Sequence, residues 1–121
     1  MSQPYHAILL DTEFSDPEFL GRWKLLGQKK SKTNPWSQMR IEVPEERLEE
    51  LVNDGQNLLL SDKFYFQAYR DNELIVVFPR RIFYLKQDRT DWQELIAYGR
   101  TLGIPEDQLD IKPVKFSEET Y

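Results

Sequence analysis

The chain has 121 residues, 40% of them apolar and 13% aromatic, which bounds it to one domain with enough apolar mass for a core and excludes a disordered chain. It has no cysteine and one histidine, His6, so disulfides, thiolate metal sites, a thiol nucleophile and multi-histidine metal centres are excluded. The formal charge is −5, which argues against a generic nucleic-acid binder, but it is laid out in blocks: four acids and no base over 1–20, +6 over 21–40, −6 over 41–62.

Tyr5-His6-Ala7-Ile8-Leu9-Leu10 is apolar at nearly every position and predicts a central strand. Ser15 and Glu18 have capping-box spacing around Pro17. Phe19, Leu20, Trp23 and Leu26 follow on one helical face, so a helix is expected up to Gly27. Gln28–Pro35 reads as a polar, lysine-rich loop. Met39, Ile41 and Val43 alternate with Gln38, Arg40 and Glu42, the pattern of a half-buried strand. Pro44-Glu45-Glu46 opens a second helix whose buried stripe is Leu48, Leu51, Val52, Leu58 and Leu59. Keeping that period unbroken places Gly55 on the buried face, where another part of the chain comes close.

Phe64–Tyr69 and Leu74–Phe78, joined by Arg70-Asp71-Asn72-Glu73, form the clearest hairpin signal in the chain. After Pro79-Arg80-Arg81, Ile82-Phe83-Tyr84-Leu85 reads as a short edge strand. Thr90–Gln93 repeats the capping-box spacing ahead of a third helix with stripe Trp92, Leu95, Ile96, Gly99 and Leu102, stopped by Gly103 and Pro105. A short turn over Pro105–Leu109 and an extended or disordered tail from about 110 complete the single domain. The order β-α-β-α-β-β-(β)-α predicts an α+β two-layer sandwich. Its mixed sheet of four or five strands contains a parallel crossover, with about three helices mainly on one face.

At the exit of the first strand stands Leu9-Leu10-Asp11-Thr12-Glu13-Phe14. An apolar strand delivering Asp-Thr-Glu-Phe resembles the first motif of the DEDD-type 3′–5′ exonucleases, ribonuclease D among them. The resemblance implies that Asp11 and Glu13 are ligands of a divalent metal pair in phosphodiester hydrolysis. It covers about six residues. The rest of the chain departs from the family: no histidine follows His6, the position four after Tyr98 is Leu102, and a helix is expected where the family has a hairpin.

Other chemistry is sparse. His6 lies inside an apolar strand with no Ser or Cys partner and reads as structural. Glu45, Glu46, Glu49 and Glu50 form a solvated helix face, and no glycine-rich phosphate loop exists. The basic block remains. Lys29, Lys30 and Lys32 lie between Trp23 and Trp36, Arg40 projects opposite Met39 and Ile41, and Arg80 joins them if its turn lies at the same sheet end. Trp36, Tyr65 and Tyr69 are of the types enriched at interaction hot spots, and the Tyr65–Gln67–Tyr69 face reads as uncovered.

The expectation is therefore a small soluble, cytoplasmic binding or accessory protein that acts through a protein partner, without a cofactor or membrane segment. Its candidate contact residues are Trp36, Arg40, Tyr65, Tyr69, Arg80, Lys29, Lys30 and Lys32. The alternatives are a carboxylate-dependent enzyme at Asp11 and Glu13, and weak single-stranded nucleic-acid binding through 21–40.

Overall fold

The computed structural model describes residues 3–33, 35–61, 64–86 and 92–104. Its elements are β1 (Tyr5–Leu10), a 3-10 helix (Pro17–Arg22), β2 (Lys24–Lys30), β3 (Ser37–Val43), a single 3-10 turn (Glu45–Arg47) leading into α1 (Leu48–Leu58), β4 (Phe66–Arg70), β5 (Glu73–Val77), β6 (Ile82–Lys86) and α2 (Gln93–Thr101). The expected turn at 105–109 and the tail beyond it lie outside the described residues.

The sheet has six strands in the order β2-β3-β1-β4-β5-β6, and every neighbouring pair is antiparallel. This corrects the expected mixed sheet of four or five strands, and the cause is a single misread segment. The predicted first helix ends after six residues of 3-10 helix, where Trp23 turns extended at φ −114 and ψ 150. The chain from Lys24 on then pairs with β3 instead of continuing helically. Phe19 and Trp23 do reach the core, but Leu26 and Leu25 are left 37% and 48% exposed on a strand. The N-cap is Asp16, whose side chain accepts a 3.0 Å bond from the Glu18 amide, one residue beyond the expected Ser15. An extra strand reverses the chain once more, so β3 and β4 flank β1 and both run antiparallel to it. The helix α1 carries the chain from one side of β1 to the other.

Alternation along the strands supplies two apolar faces. On one, Ala7 and Leu9 of β1, Ile41 and Val43 of β3, Phe66 and Ala68 of β4 and Ile75 and Val77 of β5 pack with Leu51 and Val52 of α1 and with Phe19. On the other, Tyr69, Leu74, Val76 and Phe83 pack with Leu95 of α2, Trp92 and Ile104. The helices therefore lie on both faces, and the molecule has three layers where the sequence predicted two. Strand β5 is sandwiched between them, and Leu74 through Phe78 are each at most 4% exposed. That explains its unbroken apolar run.

Three local expectations are met. The β4–β5 hairpin turns through Asp71-Asn72, with Asp71 at φ 51, a conformation aspartate tolerates better than most residues. Gly55 is buried within α1, and a Cβ there would lie 2.6 Å from the Phe66 ring. Gly103 closes α2 at φ 77, with its own N–H and that of Ile104 bonding back to the Arg100 and Gly99 carbonyls at 3.0 Å each.

Candidate interaction surface

The hairpin of β2 and β3 forms one edge of the sheet, with β3 paired to β1 and β2 outermost. Its tip closes by a 3.1 Å bond from the Ser31 amide to the Trp36 carbonyl, and the Thr33 amide bonds Ser31 Oγ at 3.3 Å. Next to that tip, the start of β3 is fixed by Asp11. The Asp11 amide bonds the Ser37 carbonyl at 3.1 Å, and the Ser37 amide returns a 2.8 Å bond to Asp11 Oδ1. Asp11 thus continues the β1–β3 ladder by one rung. Lys29, Lys30 and Lys32, all exposed, and a half-buried Trp36 lie at or beside this tip.

The remaining predicted contact residues do not join them. Arg40 is 3% exposed, and its Nε donates a 2.9 Å bond to the hydroxyl of Tyr69, itself 1% exposed. A face expected to be uncovered is here interior, because α2 packs over Tyr69 on that face of β4. Tyr65 is half-buried against Phe78, with ring centroids 5.2 Å apart. His6 is half-buried and meets the Tyr69 ring edge-on at 6.1 Å. Arg80 is exposed in the β5–β6 turn, at the same end of the sheet as the hairpin tip but at the opposite edge. Four strand spacings of ~4.8 Å separate the two turns by about 19 Å.

What singles out the hairpin is how its charges are used. Elsewhere the arginines are engaged: Arg22 with Asp54 at 2.8 Å, Arg47 with Glu50 at 2.9 Å, and Arg81 with Glu94 at 3.1 Å. Arg70 takes Glu73 at 2.9 Å and Glu45 at 3.1 Å while lying 4.2 Å over the Tyr5 ring, and burial pushes that phenol up to about 12. Arg47 also caps the Trp23 ring at 4.3 Å. Lys24 reaches Glu42 at 3.7 Å, but Lys29, Lys30 and Lys32 make no ion pair among the described residues.

The two carboxylates of the exonuclease-like motif go separate ways. Asp11 is spent on Ser37. Glu13 is 8% exposed, its Oε2 has no hydrogen-bond partner, and burial pushes its carboxyl up to about 8 against the pull of a bond to the Tyr65 backbone. Its main chain is stitched to the segment after α1 through Leu60 N–H to Glu13 O at 2.9 Å, Ser15 N–H to Leu58 O at 2.8 Å and a Phe14–Leu59 bridge. Among the described residues no three carboxylates or histidines gather as a metal site.

Two features were missed by sequence reasoning: the leucines of β2 and the buried Glu13. The sequence pattern places Leu26 on a helical stripe and leaves Leu25 outside it, and it offers Glu13 only as an implied metal ligand at a strand exit. No helix among the described residues is long and apolar enough to cross a membrane. Comparison of the chain with family models, with curated proteins and with solved structures gives no match.

Proposed function

We propose that the chain is a binding module that engages a protein partner through the β2–β3 hairpin. One observation carries the reading. A seven-residue strand at the edge of the sheet is exposed at six positions and half-exposed at the seventh, and it presents Leu25 and Leu26 at 48% and 37% exposure on the same edge as Lys29 and Lys30, which make no ion pair among the described residues. An open strand edge is a template for pairing, and lysines along it repel unselected strands while admitting one of opposite charge. The two faces of the sheet are by contrast packed with helices. The hydrolytic alternative fares worse, because Asp11 is bonded to Ser37 beside the hairpin tip and Glu13 is turned into the interior.

The immobilised protein, exposed to lysate of the cells that make it, tests the reading. Leu25→Asp with Leu26→Asp is expected to lose the retained partner, while Tyr84→Asp, at a 68% exposed position on the far edge, retains it. Retention of the same partner by the double variant would remove the hairpin from consideration.

A further inference from the structure

We infer that β2 receives an extended acidic segment of the partner as a seventh strand of the sheet, an inference that rests on the hairpin reading above. Strand β2 ends the strand order, so along 24–30 the outward row of backbone N–H and C=O groups has no strand neighbour among the described residues. Such an edge is a template for an added strand, whose backbone supplies affinity and whose alternate side chains supply specificity.

The side chains say which strand fits. From the β2–β3 register, Lys24 and Lys29 stand on the face shared with Glu42 and Gln38, whereas Leu25 and Lys30 stand on the face shared with Ile41 and Ser37. A guest laid along the edge therefore meets lysine from both sides at the 29–30 end. It meets leucine at the 25–26 end, where the β-bulge between Leu25 and Gly27 turns the strand. Acidic residues followed by branched apolar ones complement that order.

The same lysines disfavour a second copy of this chain relative to an acidic guest. Two β2 strands paired antiparallel about Gly27 would set Lys24 against Lys30 and Leu25 against Lys29, and like charges directly opposed destabilise a ladder. A nucleic-acid strand would use the lysines but leave both leucines and the peptide edge unsatisfied.

The probe is a synthetic octapeptide, acetyl-Glu-Asp-Glu-Val-Ile-Val-Val-Thr-amide, titrated into the full chain and followed by amide hydrogen exchange. Slowed exchange at the amides of 24–30 is expected. So is at least about tenfold weaker binding when the central Ile of the peptide is replaced by Pro, and when the protein carries Lys29→Glu, Lys30→Glu and Lys32→Glu. These lysines are exposed, so the triple variant keeps its fold, and the proline peptide tests backbone pairing without altering the protein. Equal binding of the proline peptide, or no binding of either, overturns strand addition. A single-stranded oligothymidylate that binds more tightly than the peptide overturns the choice of partner. If strand addition fails while Leu25→Asp with Leu26→Asp still abolishes partner retention, the hairpin reading survives and only the mode of contact is wrong.

Discussion

Replacing Glu13 by Gln should change how stability depends on pH more than it changes stability itself. Burial raises the Glu13 carboxyl from the ordinary 4.5 to about 8 in the folded chain. The folded state therefore holds a proton that the unfolded state has released throughout that window. Glu13 contributes most below about 4.5, and its contribution is lost as the pH rises through about 8. Each unit of displacement corresponds to about 1.4 kcal/mol, so the whole window sets a ceiling of about 5 kcal/mol. That is a large share of the roughly 5–15 kcal/mol of a small domain. The loss is capped by the cost of opening the pairing of Glu13 and Ser15 with Leu58 and Leu60, which would let water reach the carboxylate. Glutamine cannot ionise, but its NH2 brings two donors, one more than the protonated carboxyl, to a place where Oε2 finds no partner among the described residues, a cost of about 1 kcal/mol at every pH. Urea unfolding at pH 5, 6, 7 and 8 should give curves that cross: the variant less stable at pH 5, and equal to or more stable than the parent at pH 8. Parallel stability profiles would refute the assignment of a buried, protonated Glu13.

Other substitutions probe the packing. Gly55→Ala gains about 1 kcal/mol of helix propensity but forces Phe66 away from a Cβ contact of 2.6 Å, an overpacking of about 1–3 kcal/mol, so the urea midpoint should fall; a rise would mean that the ring moves freely. Tyr69→Phe removes the hydroxyl that accepts from Arg40 Nε at 2.9 Å and should cost about 1–3 kcal/mol, read by thermal unfolding. Gly103→Ala forces an L-residue to φ 77 and should cost about 1–2 kcal/mol, with faster amide exchange in the last turn of α2. Gly99→Leu should overpack a buried position of the same helix by about 1–3 kcal/mol; an unchanged urea midpoint would show that its face is misassigned.

Much of the fold was legible in sequence because period and punctuation agreed. The β4–β5 hairpin, the stripe of α1 through Gly55 and the stop at Gly103 each combined a periodic run with a turn or cap residue. Strand β2 was not legible. Phe19, Leu20, Trp23 and Leu26 satisfy a helical repeat by chance of spacing, and only pairing with β3, which no local period reports, decides that Lys24–Lys30 is extended. Missing that strand also inverted the expected direction of its neighbours. Alternation correctly set Arg40 opposite Ile41 but carried no information about what covers each face, so Arg40 and Tyr69 read as surface residues. The lysines of the candidate site were visible as a charge block, whereas its leucines were hidden by the wrong period.

The most direct test of the hairpin as a partner-binding surface is site-specific photocrosslinking in the cells that make the protein. A benzophenone amino acid would be placed at the position of Leu26 in one version and of Tyr84 in another. The account predicts one covalent adduct of defined mass from position 26, absent when Lys29, Lys30 and Lys32 are changed to Glu, and none from position 84. An adduct from position 84 with none from position 26 would contradict it.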